Sequence, residues 1–174
     1  MMGLGKTIQA VAFLWVMLKK CDVTKVVRAK KALIVTPSSL LFHWKKEILQ
    51  WLGIGRVNVM VCQGEKRVIL ESMKTFRTQS TFNVMIVSYD TFRNHGHVLN
   101  DAADLLICDE GHKIKNRKIH TAKALNALKT RRRIILTGTP IQNSLDEFFT
   151  LVDFINPGIF INYQRFKRVY TDVI

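Results

Sequence analysis

The sequence predicts an α/β fold, a parallel sheet with helices on both faces, and three observations predict it. Short apolar segments rich in branched residues alternate with stretches of helical periodicity. Four of the five apolar segments lack strict polar alternation, as strands covered on both faces do. The composition, 48% hydrophobic over 174 residues, is that of one globular domain with a sizeable core.

The predicted strands are Ala32 to Thr36 (ALIVT), Val57 to Cys62 (VNVMVC), Asn83 to Ser88 (NVMIVS), Asp104 to Cys108 (DLLIC) and Arg133 to Thr137 (RIILT). In the helical pattern SSLLFHWKKEILQWL, Leu40, Leu41, Trp44, Ile48, Trp51 and Leu52 fall near helical spacing, with Ser38 or Ser39 available as cap. Ile119, Ala122, Leu125 and Leu128 form a stripe along Arg117 to Lys129. Ser144 with Glu147 offers a capping box before FFTLVDFI, and Pro157-Gly158 stops that helix. The apolar run Ile8 to Leu18 is too short to cross a bilayer and reads as a helix buried on both sides. Cys21, Cys62 and Cys108 are far apart, without metal-ligand pairing, and read as reduced, mostly buried thiols of an intracellular protein. His43, His95 and His97 have no partner set for a metal.

Charge is the informative bulk property. The 27 Lys+Arg against 13 Asp+Glu give +14, which points to a polyanionic partner. The cations cluster at Lys19-Lys20, Lys25 to Lys31, Lys45-Lys46, Lys113 to Lys118, Arg131 to Arg133 and Arg165 to Arg168. One such cluster is ordinarily a solvated face, whereas six in a small domain favour nucleic acid. A missing acidic neighbour domain would produce the same imbalance.

Three motifs carry chemistry. Gly3 to Thr7 read G-L-G-K-T, the closing half of a phosphate-binding loop. Gly3 and Gly5, flanking Leu4, let the backbone turn and aim its N–H groups at phosphate oxygens. Lys6 offers a mobile charge for the β- and γ-phosphates, Thr7 a hydroxyl for Mg²⁺, and a helix starting near Thr7 its positive dipole end. An ordinary Gly-rich helix start with a solvated lysine has the same five residues. In LLICDEGHKIKN, an apolar strand ends in two carboxylates, the arrangement in which Asp109 holds Mg²⁺ through water and Glu110 orients or deprotonates the attacking water. A carboxylate pair capping the next helix reads the same way. His112 lacks a second ligand at metal spacing. In IILTGTPIQN, Thr137, Thr139 and Gln142 can hydrogen-bond both to the carboxylate loop and outward, a relay between nucleotide state and a second partner. Each motif stands at a strand's carboxyl end, where open α/β sheets place their ligands.

The set MGLGKT, TPSSLLFHW, IVSYDTFR, CDEGHKIKN and LTGTPIQNSLDEFF resembles the first half of a superfamily 2 helicase motor, and in particular the SWI/SNF-related double-stranded DNA translocases. The forms PSSL..W at Pro37 to Trp44, SYDTFR at Ser88 to Arg93 and DEGH rather than DEAH resemble the branch acting in homologous recombination and repair beside the strand-exchange recombinase. The resemblance covers essentially the whole chain. It implies a RecA-like lobe that uses ATP and Mg²⁺, with Lys6 and Thr7 on the nucleotide and metal and with Asp109 and Glu110 in metal binding and hydrolysis. It implies that the segments around Thr36 to Ser39 (Thr36, Ser38, Ser39), Ser88-Tyr89 and Thr137 to Pro140 meet the DNA backbone or couple to it, with His112 and Gln142 in the coupling. It also implies a nuclear protein that works on double-stranded DNA and chromatin with a recombinase, and not at a membrane.

The departures from the pattern are at the ends. The resemblance implies a strand and an adenine pocket before Met2 and a second lobe with arginine fingers after Ile174. The chain is therefore expected to be an incomplete first lobe spanning residues 1–174, truncated at both ends and poorly soluble and inactive alone. Its Arg133 to Thr137 edge would be unpaired and part of the Ile8 to Leu18 helix uncovered. Two other classes stay open. A phosphate-loop switch or kinase would carry a base- or acceptor-recognition motif, and none appears. A non-catalytic basic nucleic-acid-binding module is compatible with the charge.

Overall fold

The computed structural model describes residues 5–19, 28–114, 120–138 and 145–171. The described chain runs α1 (Lys6–Leu18), β1 (Ala32–Thr36), α2 (Leu41–Leu52), β2 (Val59–Cys62), α3 (Lys66–Thr78), β3 (Val84–Ser88), α4 (Tyr89–His95), β4 (Leu105–Cys108), α5 (His120–Asn126), β5 (Arg132–Ile135), α6 (Leu145–Ile155) and α7 (Tyr163–Thr171). The strands form one parallel sheet in the order β2-β3-β1-β4-β5. β1, β3 and β4 are buried along their whole length, which is why their sequences show no polar alternation.

Successive strand residues point to opposite faces, and each face has its own core. Ala32 and Ile34 join Ile86 and Ile107 beneath α1 and α2, with Leu14, Trp44 and Ile48. Leu33 and Val35 join Met85 and Leu106 on the other face, with Met73, Phe76, Phe92, Leu125 and Phe154. Each fully buried aliphatic or aromatic side chain contributes on the order of 1.5–3 kcal/mol, so both layers hold the sheet in place. α1 corrects the sequence reading: Ala10, Val11, Leu14 and Met17 are buried, but Phe13 is 44% and Val16 51% exposed. It covers the sheet with one face only.

The N-terminal signals of α2 also differ from expectation. Ser38 and Ser39 are spent in a 3₁₀ turn over Ser38–Leu40, and α2 begins after Leu40 with no side-chain cap. Ser144 and Ile119, the other helix signals read from the sequence, lie outside the described residues. Within the described sheet β5 is an edge strand, paired with β4 alone and partly exposed from Arg133 to Ile135.

One inward cation locks this edge. Arg133 donates from Nε to Thr130 O (2.9 Å), from Nη1 to Asn126 Oδ1 and Phe154 O (3.1 Å each) and from Nη2 to Leu128 O (3.0 Å). Its guanidinium also lies 4.8 Å from the Phe154 ring centre. Arg133 thus ties β5 to α5, to the segment after it and to the end of α6. It is a fastener of the fold and not part of an outward basic face.

Candidate nucleotide and DNA site

The parallel register collects the motifs at one edge. Thr36 pairs with Ser88, Val35 with Cys108 and Cys108 with Ile135, so the chain leaves β1, β3, β4 and β5 side by side. The ladder continues past the strands. Asp109 N donates to Val35 O, Leu136 N to Cys108 O and Gly111 N to Leu136 O, each at 2.8 Å.

The phosphate-loop residues lie at the start of α1. Gly5 is its N-cap at φ +70°, ψ +26°, a left-handed conformation that glycine adopts without cost. Lys6 and Thr7 open the helix, half-buried. A β-carbon built on Gly138 would stand 2.7 Å from Lys6 Nζ, so the lysine tip lies against the turn after β5. Gly3, Leu4, Thr139, Pro140 and Gln142 lie outside the described residues.

The carboxylate loop is held from several sides. Asp109 Oδ2 accepts from Trp44 Nε1 at 2.8 Å and from Thr36 Oγ1 at 3.2 Å, and Oδ1 accepts from Glu110 N at 2.9 Å. The Tyr89 hydroxyl donates to Asp109 O at 2.6 Å. Glu110 follows at φ +51°, a backbone state that a non-glycine residue keeps only where its surroundings impose it. Burial, with the nearby Cys108, Asp109 and Glu110, pushes the Tyr89 phenol far above its usual range, so Tyr89 stays a donor. Burial likewise raises the Cys108 thiol, against the opposing charge of Arg133, which makes it an inert core group. His112 Nδ1 lies 3.2 Å from Glu110 Oε2, but out of line for a hydrogen bond.

The residues expected at DNA divide in two. The side chains of Thr36, Ser88 and Tyr89 are buried. Thr36 and Tyr89 hold the carboxylate loop, and Ser88 caps α4 by accepting from Thr91 N at 3.1 Å. Ser38 and Ser39 stand exposed, as does Lys46 further along the chain in α2. Of these residues, only Ser38 and Ser39 offer side chains to an outside partner. By its spacing Trp44 reads as a core residue on an apolar stripe; the signals that it belongs to the site are its place in the PSSL..W form and its buried indole N–H, which needs an acceptor.

These groups fit a nucleotide-borne Mg²⁺. Among the described residues no three His, Cys, Asp or Glu side chains converge to hold a metal by themselves. Mg²⁺ in phosphate sites takes only one or two protein carboxylates and draws its other ligands from phosphate and water. Asp109, fixed by its donors, and the Thr7 hydroxyl at the loop match that need. No helix among the described residues is long and apolar enough to cross a membrane.

Comparison with known proteins agrees with this geometry. The SNF2-related domain model matches residues 1–173. The chain is 42% identical over 174 residues to the human DNA repair and recombination protein RAD54B, covering 99% of this chain and 19% of that protein. It is 44% identical to the DNA repair and recombination protein RAD54 of Oryza sativa subsp. japonica (97% and 17% covered). It is 40% identical to the DNA repair protein rhp54 of Schizosaccharomyces pombe (97% and 21% covered). The chain therefore spans about a fifth of the length of these relatives. Its fold matches the Sulfolobus solfataricus SWI2/SNF2 ATPase core in complex with dsDNA at a TM-score of 0.76 and 26% identity, over 95% of this chain and 32% of that one. The chain belongs to the family of SNF2-related domains.

Proposed function

We propose that this chain is the nucleotide-binding lobe of an ATP-dependent double-stranded DNA translocase that acts in recombination and repair. The observation that supports this most directly is the meeting of three motifs at one sheet edge. Lys6 lies against Gly138, and the Asp109–Gly111 turn is bonded both to β1 and to Leu136, just past β5. In this reading the loop at Gly3 to Thr7 and Lys6 bind the phosphates of ATP, and Thr7 and Asp109 hold Mg²⁺. Bound Mg²⁺ supplies charge neutralisation on the phosphates. Glu110 takes the proton of the attacking water. His112, Thr137, Thr139 and Gln142 report the state of the site to the DNA side, where Ser38, Ser39 and Lys46 grip phosphate. The relatives' names favour a protein of DNA repair and recombination; in this reading it is nuclear, with chromatin and a strand-exchange recombinase as partners. A second lobe completes the motor.

The test is ATP hydrolysis with and without double-stranded DNA, using the chain fused to the second lobe of a relative. Lys6→Ala is expected to abolish nucleotide binding or turnover. Glu110→Gln is expected to keep ATP bound and to stop turnover, because it removes the base and leaves Asp109 in place. Wild-type turnover by Glu110→Gln would refute the assignment.

A further inference from the structure

We infer that Trp44 is a positioning residue for the nucleotide site: its indole N–H, with the Thr36 hydroxyl, fixes the Asp109 carboxylate in one orientation. The function of that orientation rests on the reading above, but the geometry does not. Trp44 is 1% and Thr36 0% exposed, and both donate to the same oxygen, Asp109 Oδ2. The other oxygen, Oδ1, accepts from the backbone of Glu110. One carboxylate therefore sets two things, its own rotamer and the position of the amide that begins the Glu110 backbone. The Tyr89 hydroxyl holds the carbonyl of that same peptide group, Asp109 O. Together these bonds keep Glu110 in its left-handed conformation, which a free chain would leave.

An apolar packing role would need only the ring of Trp44. The indole N–H is the feature that packing does not explain, because a tryptophan buried without an acceptor would lose a hydrogen bond to water. Trp44 also sits in the helix that follows the exposed Ser38-Ser39 turn. It places a single bond between the outward-facing segment and the metal-binding carboxylate. Residues that orient a ligating carboxylate typically change metal affinity by 10–100-fold when removed.

The experiment compares the wild-type chain with Trp44→Phe, which keeps an aromatic ring and removes the donor, and with Asp109→Asn, which changes almost no volume. The first readout needs no metal. In ¹H–¹⁵N spectra, one of the three indole signals (Trp15, Trp44, Trp51) should exchange slowest, disappear in Trp44→Phe and move in Asp109→Asn. The Glu110 amide should shift and broaden in Trp44→Phe. Unchanged indole signals in Asp109→Asn, or an unchanged Glu110 amide in Trp44→Phe, would reduce Trp44 to a packing residue. If Trp44→Phe does not fold, the Asp109→Asn spectrum decides alone. The second readout is Mn²⁺ binding in the presence of ATP, followed by electron paramagnetic resonance, with about tenfold weaker affinity expected in Trp44→Phe. Equal affinity would overturn the positioning role. Failure of the wild type to bind Mn²⁺ with ATP would count against the nucleotide-site reading, while the spectra would still decide the role of Trp44.

Discussion

Gly111→Ala turns DEGH into DEAH, and the structure predicts that this single methyl group is expensive. A β-carbon at position 111 would lie 2.0 Å from Ile135 Cγ2, 3.4 Å from Ile135 Cβ and 3.5 Å from Leu136 O. Carbon atoms rest at about 3.5–4 Å, so the overlap with Cγ2 is roughly 1.5–2 Å. Ile135 is β-branched and stiff at χ1, so only the one rotamer that turns its Hβ toward position 111 clears both γ-carbons, at the cost of its present packing. Otherwise relief comes from moving the loop off β5, and the Gly111 N to Leu136 O bond at 2.8 Å opposes that. Overpacking of this kind costs about 1–3 kcal/mol, and having to stretch this backbone bond puts the cost near the top, about 2–3 kcal/mol. For a domain of this size that lowers Tm by about 5–10 °C. Urea unfolding followed by circular dichroism measures it, in a cycle with Ile135→Ala. Alone, Ile135→Ala should cost about 2 kcal/mol, since its site is only partly buried. In the double variant the truncated side chain makes room for the new methyl. The combined cost should then fall short of the sum by at least about 1 kcal/mol. Additive costs, or a Gly111→Ala protein as stable as wild type, would refute the argument.

Arg131 and Arg133 stand two residues apart and are predicted to behave differently. Arg133→Ala, which strips hydrogen bonds from three carbonyls, should destabilise the chain by about 2–4 kcal/mol in thermal unfolding. Exposed Arg131→Ala should leave stability alone and, if that face meets DNA, flatten the salt dependence of binding; equal stability losses would contradict the inward role of Arg133. Burial pushes the Cys62 thiol from 9.0 up to about 11. The folded state therefore holds its proton more tightly than the unfolded state does. That contribution to stability is complete below pH 9 and is lost as pH rises from about 9 to about 11. Cys62→Ala should flatten the fall of the urea midpoint across this window, and an unchanged slope would show that Cys62 does not drive it.

Much of the fold was legible because its signal is local. The strand Ala32–Thr36 coincides with the predicted segment, and β3 and β4 lie within theirs. Their unbroken apolar runs report burial on both faces, a property that each residue carries by itself. α1 was misread for a related reason. A helix apolar nearly all round has no polar stripe to show which face stays open, so its sequence cannot reveal that Phe13 and Val16 look outward. Ser38 and Ser39 were read as caps because serine before an apolar stripe is the usual signal. The 3₁₀ turn that consumes them depends on backbone geometry that no side chain advertises.

The site was legible as a set of motifs but not as a set of contacts. Asp109 and Glu110 follow β4 directly, where strand-end logic puts them, since a parallel sheet brings its carboxyl ends together whatever the loops contain, and Lys6 reaches the same edge from the start of α1. The direction of a hydroxyl or an indole is another matter, because it is set by which acceptor the neighbouring strand delivers. Thr36 and Tyr89 read as polar groups at strand ends, free to meet an outside backbone. Both turn inward because β4, later in the chain than either, ends in a carboxylate and a strained peptide that need donors. Arg133 reads as one charge in a basic run, yet the carbonyls left open after α5 and at the end of α6 draw its guanidinium in. In each case the polar side chain follows an unsatisfied buried partner supplied by a distant segment. Spacing in the sequence can place such residues at the site, but only the register of the sheet decides whether they face a ligand or hold the group that does.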